Sequence, residues 1–165
     1  RENFHITIHA GESFGPESIW QALQYCGAHR IGHGTRLVED MVIYDGRVIS
    51  LGPLAQYLLD HRIPLEICLS SNVHTGATPT LAGHPFPHYL QRGFRVTLNT
   101  DNRLMSRTSM TEEFRVANET FGTTLDQLEK LTINAMKSAF AHYDDRIRVI
   151  FERIKPGYAR LRKDQ

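Results

Sequence analysis

The stretch from Phe4 to Glu12 has the clearest chemical potential in this chain. A short β-type segment runs into His9 and is followed by a small-residue turn and a carboxylate. Alternation along a strand places His5, Thr7 and His9 on one face. A possible metal ligand and a possible proton donor thus stand together at the carboxyl end of a strand, where βα folds build active sites. The same pattern also fits a strand followed by a solvated polar loop.

Three further polar clusters follow β-type segments. His33 lies between two glycines, Asn72 follows the segment that starts near residue 64, and Asp101 and Asn102 follow the one that starts near residue 94. Glycines beside His33 allow the backbone to pass close to a ligand, although a lone histidine is more often a surface or core residue. Imidazole and carboxylate together suit a zinc-type ion. Near a metal, Glu12 could act as a general acid.

The elements that must position these residues follow a regular spacing. The β-type segments begin near residues 4, 30, 64 and 94, and intervals of roughly 25 to 35 residues are typical of βα units with helical crossovers. Capping boxes at Ser109 and Thr124 open helices in the last third. Residues 37–52 are predicted as a loop with short local structure and a turn at Asp45-Gly46, and residues 70–77 as a polar loop. The sequence therefore predicts an α/β fold of about four parallel strands with helical crossovers and C-terminal helices.

Composition excludes several classes of protein. A chain of 165 residues suffices for one domain, and 19 basic against 18 acidic residues give a net charge of +1, which indicates no nucleic-acid or membrane partner. Two cysteines form no disulfide framework, so a reduced, cytoplasmic protein is expected. The chain starts at Arg1, almost inside a strand and without Met, which suggests a piece of a longer chain. We predict one unit over residues 1–157 and a loose charged tail over residues 158–165.

Four motifs together resemble the C-terminal half of a bacterial adenosine deaminase of the amidohydrolase type. They are His9-Ala10-Gly11-Glu12, Gly32-His33-Gly34, Cys68-Leu69-Ser70-Ser71-Asn72 with Thr75-Gly76, and Leu98-Asn99-Thr100-Asp101. Residues 134–140 also fit the family's late helix. Each motif alone is a weak signal, whereas four in order are a strong one. The resemblance covers nearly the whole chain and implies the C-terminal half of a (β/α)₈ TIM barrel with one catalytic zinc.

The resemblance also implies a role for each candidate residue. His9 and Asp101 would be zinc ligands, because they match the family's metal-binding positions. Glu12 would protonate N1 of the purine, and His33 would orient the water on zinc and take its proton. Asn102 stands where the family has an aspartate, and would contact N7. The implied reaction is hydrolytic deamination of adenosine, or deoxyadenosine, to inosine and ammonia, with zinc lowering the pKa of its bound water to about 7.

Two departures from the family bear on this expectation. No His-x-His pair occurs in the chain, although in the family that pair supplies two further zinc ligands from the first strand. A missing N-terminal half is therefore the expected partner, and the isolated chain is expected to be inactive; a full barrel takes roughly 250 residues. The second departure is Asn102 itself. Two alternatives stay open: a deaminase of adenine or another 6-aminopurine, and a non-catalytic half-barrel that only binds a partner or a purine.

Overall fold

The computed structural model describes residues 4–163, so the expectations about Arg1 and about the last two residues of the tail lie outside the described part. Within this range four parallel strands form the main sheet, in the spatial order β1-β2-β5-β6, and β3 and β4 pair as an antiparallel hairpin. The strands are β1 (Thr7–Ala10), β2 (Arg30–His33), β3 (Met41–Tyr44), β4 (Arg47–Leu51), β5 (Leu65–Ile67) and β6 (Val96–Leu98).

Helices connect the strands of the main sheet and follow the last one. They are α1 (Pro16–Gln24), α2 (Pro53–Asp60), α3 (Leu69–His74), α4 (Phe86–Arg92), α5 (Arg103–Ser106), α6 (Met110–Phe121), α7 (Leu125–Ser138), α8 (Tyr143–Val149) and α9 (Lys155–Leu161). A 3₁₀ segment spans Thr35–Asp40 and a π segment spans Ile150–Ile154. The predicted α/β half-barrel is confirmed.

Sequence signals for the helix ends agree with the structure. Pro16 and Pro53 each begin a helix, where a missing backbone N–H has no cost. The Ser109 hydroxyl accepts the backbone N–H of Glu112 at 3.2 Å. Thr124 forms the complete capping box with a glutamine three residues on. These caps fix the starts of α6 and α7, which follow the last strand.

Two predicted loops have regular structure instead. Residues 37–52 contain most of the 3₁₀ segment and the β3–β4 hairpin, whose turn has φ of 48° at Asp45 and 68° at Gly46. The turn predicted at Asp45-Gly46 is therefore confirmed, whereas the two short strands around it alternate too little to be predicted from the sequence. Residues Leu69–His74 form helix α3 and not a loop. This helix carries Asn72 into the interior of the fold.

The end of the chain also differs from the prediction. Helix α9 continues past Pro156 and Gly157 to Leu161, because proline is tolerated in the first turn of a helix. The Tyr158 and Thr132 hydroxyls form a 2.8 Å hydrogen bond. The Arg162 guanidinium donates to Asp126 at 2.6 Å. Side chains after Gly157 thus contact α7, where a loose tail was expected.

The core lies between the sheet and the helices that cover it. Its largest fully buried side chains come from strands β2 and β5 and from helices α1, α2, α4 and α7: Ile19, Ile31, Leu54, Leu58, Leu65, Ile67, Phe86, Tyr89 and Leu131, with Leu37, Leu69 and Phe94 beside them. Among the described residues no helix is both long and apolar enough to cross a bilayer.

Tyr89 ties this core to the segment after β2. Its buried hydroxyl accepts the Val38 N–H at 3.0 Å and lies 2.8 Å from the Thr35 carbonyl. We expect Tyr89→Phe to lower the free energy of unfolding by roughly 1–3 kcal/mol, because buried backbone groups lose their partner. Urea unfolding measures this. Tyr44→Phe is the control, since Tyr44 is 76% exposed; equal losses for both variants would contradict the assigned role.

Candidate active site

The turn after β1 brings His9 and Glu12 to the same edge of the sheet. Gly11 adopts the left-handed conformation with φ of 64°, and its backbone N–H donates to the Ser18 hydroxyl in α1 at 2.7 Å. Because Gly11 lacks a side chain, the chain can reverse there without meeting the strand's neighbours. Glu12 is thereby placed beside the end of β1.

His33 reaches the same place from β2. Its φ of 66° lies in the left-handed region, which non-glycine residues seldom adopt. His33 Nε2 lies 3.0 Å from His9 Nδ1 and 3.4 Å from Glu12 Oε2. Possible ligand atoms of His9, Glu12 and His33 all lie within 4.8 Å of one another. The structure therefore brings together three of the five predicted site residues, and backbone strain at a site of this kind is typical of function.

Neutral donors hold the Glu12 carboxylate in place. Its Oε1 accepts the Thr75 hydroxyl at 3.0 Å and the Asn72 amide at 3.4 Å. Its Oε2 is the oxygen that faces His33. The Glu12 side chain is 17% exposed, so it stays accessible to a molecule entering from solvent. One oxygen is therefore anchored by Thr75 and Asn72, and the other faces the site beside His33 Nε2.

Asp101 lies at the far edge of the sheet, after β6. Its backbone also has a positive φ, 53°, and its Oδ2 accepts the Ser71 hydroxyl at 2.7 Å. It is not part of the 4.8 Å group around His33. His9 thus lies in the first strand of the sheet and Asp101 follows the last one, with His33 at the end of a strand between them.

Burial dominates the protonation of His33. Desolvation lowers the pKa of this imidazole below its ordinary value, and the neighbouring His9 lowers it further. The carboxylates of Glu12 and Asp101 act in the opposite direction and raise it. The net effect favours a neutral His33 ring, which can serve as a hydrogen-bond partner of defined tautomer.

Asn102 has a structural contact as well as its predicted binding role. It is the N-cap of α5, and its Oδ1 accepts the Met105 backbone N–H at 3.1 Å. The turn-capping use of Asn102 is thus present in the structure. This bond occupies the oxygen alone, so the amide N–H groups remain outside it.

Several contact residues were not recognised in the sequence. The sequence places Asn72 in a polar cluster but predicts no role for its side chain. It predicts no role for Ser71, Thr75 or His84 either. His84 precedes a short helix and lies twelve positions after Asn72, a separation that carries no motif. Only helix α3, which turns Asn72 inward, brings the two side chains together.

The donor set fits a zinc-type ion. His9 offers an imidazole nitrogen and Asp101 a carboxylate oxygen, both on exposed residues at the carboxyl edge of the sheet. Nitrogen and oxygen donors of these kinds are the usual ligands of catalytic zinc, which takes three protein ligands and keeps a further position open. The residues present would supply part of such a set.

Buried His84 gives the site region a pH-dependent stability. Desolvation lowers the pKa of His84 to about 4 from 6.5, so between these values the unfolded chain binds more protons than the folded one. The contribution of this titration to the free energy of unfolding is therefore fully present above pH 6.5 and is lost as the pH falls toward 4. We expect the stability of the wild type relative to His84→Gln to fall by about 3 kcal/mol over this range.

Urea titrations at several pH values measure this difference. His61→Gln is the control, because it makes the same replacement at an exposed position. A difference between wild type and His84→Gln that stays constant with pH would show that His84 is not held neutral by burial.

Comparison with known proteins places this geometry in a family. The family model described as adenosine deaminase matches residues 1–156. Adenosine deaminase 1 of Streptomyces coelicolor is 54% identical over 164 residues, which cover 99% of this chain and 41% of that protein. The chain therefore spans about two-fifths of the length of this curated relative.

Solved structures show the same fold. An adenine deaminase from Arthrobacter aurescens superposes with a TM-score of 0.83 at 26% identity, over 93% of this chain and 43% of that one. An amidohydrolase from Burkholderia ambifaria, solved with bound Zn, has a TM-score of 0.82 at 19% identity, over 98% of this chain and 42% of that one. At that identity the likeness shows the fold alone.

Proposed function

Because the chain belongs to the adenosine deaminase family, we propose that it provides the proton-transfer groups and part of the zinc site of an adenosine deaminase. The reaction is hydrolytic deamination of adenosine, or deoxyadenosine, to inosine and ammonia. One observation carries the proposal: the ligand and acid–base atoms of His9, Glu12 and His33 lie within 4.8 Å of one another at the carboxyl edge of a parallel sheet.

Each residue has a task that its contacts support. Glu12 gives a proton to N1 of the purine as water adds at C6, which avoids building negative charge on the ring. Its anchored Oε1 and free Oε2 suit that transfer. His33 orients the attacking water through Nε2. One proton of the water goes to the amino group, which leaves C6 as ammonia, and the other restores the Glu12 carboxyl group, so that the product is inosine.

Zinc is the proposed cofactor, with one ion per site. His9 and Asp101 would hold it together with two further ligands from outside this chain. A bound zinc ion would act as a Lewis acid and make water a nucleophile at neutral pH. The proposed partner of the chain is the N-terminal half of the barrel, since this chain supplies too few ligands by itself. We propose on the same ground that the isolated chain is inactive. A cytoplasmic location agrees with its free thiols, Cys26 and Cys68.

Adenine is the second candidate substrate, because one of the structures that superpose well is an adenine deaminase. A chimera separates the two. In it, this chain replaces the matching 164 residues of the Streptomyces coelicolor relative. We expect the zinc-loaded chimera to release inosine and ammonia from adenosine and to act far less on adenine. Preference for adenine would favour the second candidate, and a folded chimera inactive on both would contradict a deaminase role.

Asn102 gives a prediction about purine recognition. N7 is an acceptor, and the Asn102 amide donates at every pH. In the chimera, Asn102→Ala should weaken the use of adenosine by roughly 1–3 kcal/mol in kcat/KM and should affect 7-deazaadenosine, which lacks N7, much less. If Asn102 only caps α5, Asn102→Ala should instead reduce kcat/KM for both substrates by the same factor. That result would contradict the contact with N7.

A further inference from the structure

Three buried polar side chains form a line from the start of helix α4 to the candidate site. His84 is 2% exposed, Asn72 is 0% exposed and His33 is 1% exposed. Each contacts the next through a side-chain hydrogen bond. Buried polar groups of this kind need partners with matched donors and acceptors. The protons in this line can therefore be assigned one after another.

The assignment starts at His84. The Phe86 backbone N–H can only donate, and it donates to His84 Nδ1 at 3.0 Å. That nitrogen is therefore unprotonated, and the neutral ring carries its proton on Nε2. Burial lowers the pKa of His84 to about 4, which keeps the ring neutral at neutral pH. Nε2 lies 3.1 Å from Asn72 Oδ1 and donates to it.

The orientation of the Asn72 amide follows. With Oδ1 accepting from His84, the Nδ2 group faces His33 Nδ1 at 3.0 Å. The same Nδ2 group lies 3.4 Å from the Glu12 carboxylate. A reversed amide would place an oxygen against that carboxylate, so two independent contacts select one orientation. Because an amide nitrogen only donates, His33 Nδ1 must accept, and the proton of neutral His33 lies on Nε2.

We propose that His84 and Asn72 are positioning residues, which hold neutral His33 in the Nε2–H tautomer with its proton directed into the site. In this structure Nε2 donates this proton to His9 Nδ1 at 3.0 Å, with Glu12 Oε2 3.4 Å away, so the proton lies on the side of the ring that faces the candidate site. Resting His33 is then a donor that orients the attacking oxygen. Its other nitrogen is occupied by Asn72, so neutral His33 does not take a proton from water, which differs from the role that the family resemblance implies.

Nitrogen NMR tests the tautomer directly. The full chain is labelled with ¹⁵N-histidine, and long-range ¹H–¹⁵N spectra distinguish protonated from unprotonated ring nitrogens; loss of one signal set in His33→Gln assigns His33. We expect Nε2 protonated and Nδ1 unprotonated in the wild type at neutral pH. Protonated Nδ1 in the wild type would overturn the proposal.

Variants of His84 and Asn72 test whether the hydrogen bonds between these residues determine the tautomer of His33. His84→Phe removes the donor to Asn72 and Asn72→Leu removes the donor to His33, so both should convert His33 to a mixture of tautomers. His84→Gln keeps an N–H donor and should retain the wild-type pattern, as should His74→Phe, a change at an exposed position of α3. An unchanged His33 pattern in both His84→Phe and Asn72→Leu would overturn the proposal.

The consequence for catalysis rests on the proposed function, whereas the spectra do not involve adenosine or zinc. In the chimera, His84→Phe should lower kcat by roughly 10- to 100-fold with little change in KM, and His84→Gln should restore most of the rate. If the spectra of the full chain show the expected tautomer but the chimera is inactive, the proposed function alone is wrong. A wild-type His33 with protonated Nδ1 in an active deaminase would overturn the positioning role alone.

Discussion

Glu12→Gln is expected to lower adenosine deamination in the chimera by roughly 10²- to 10⁴-fold, the usual contribution of a positioned general acid. The amide keeps the size of the carboxyl group, and its oxygen can still accept the Thr75 hydroxyl, which lies 3.0 Å from Oε1 in the structure. The fold should therefore be preserved. What the variant loses is the proton for N1 of the purine.

A matched control separates this effect from loss of surface charge. Glu17 lies in the first turn of α1 and is exposed, so Glu17→Gln should leave kcat and KM unchanged. Steady-state inosine formation measures both variants. If Glu12→Gln retained more than about a tenth of the wild-type kcat, the general-acid assignment of Glu12 would be wrong.

Gly11→Ala is expected to cause a large loss of stability at the site. Gly11 has φ of 64°, and an added Cβ would lie 2.6 Å from Ile19 Cδ1. It would also lie 3.2 Å from the Gly34 Cα, a backbone atom that cannot rotate away. Left-handed backbone costs an alanine about 1–2 kcal/mol and overpacking adds roughly 1–3 kcal/mol. We therefore expect a loss of about 2–5 kcal/mol.

Gly27→Ala is the control for the backbone contribution. Gly27 has φ of 67°, but nothing lies within 4 Å of the added Cβ. Gly27→Ala should therefore lower the free energy of unfolding only by the strain of a left-handed backbone, about 1–2 kcal/mol. Denaturant unfolding of both variants gives the difference that is due to packing. If both variants lost the same free energy of unfolding, glycine would be needed at position 11 only for its left-handed backbone. The close approach of β1, α1 and the end of β2 would then not depend on it.

Much of the fold could be predicted because local sequence and tertiary structure agree. The β-type segments and the proline and capping signals at Pro16, Pro53 and Thr124 predicted the elements of the half-barrel. Helix α3 could not be predicted this way, since Ser70, Ser71 and Asn72 are small and polar, and such residues favour loops unless a core holds them. Tertiary packing of Leu69, which is fully buried, overrides that preference.

The site was predictable only in part for a related reason. His9 lies near the end of β1, Glu12 follows that strand and His33 ends β2, so pairing of these two strands brings the three residues together. Their possible ligand atoms lie within 4.8 Å of one another. His84 contacts Asn72 through the fold and not through any local pattern. The contacts of a residue of this kind become visible only once the three-dimensional structure is known. Asp101 stands after the last strand of the sheet, and its proposed meeting with zinc depends on ligands beyond this chain.

Zinc content is the measurement that tests the proposed site most directly. The chimera is stripped of metal, reloaded at low free zinc and analysed by mass spectrometry, alone and with His9→Ala, Asp101→Ala or the control His74→Ala. We predict about one zinc per chain for the unmodified chimera and the control, and less than about a tenth of that for the other two, because each of these variants removes one of the four proposed zinc ligands and the metal is loaded at low free zinc. Full zinc occupancy in either His9→Ala or Asp101→Ala would contradict the assignment of that residue as a ligand.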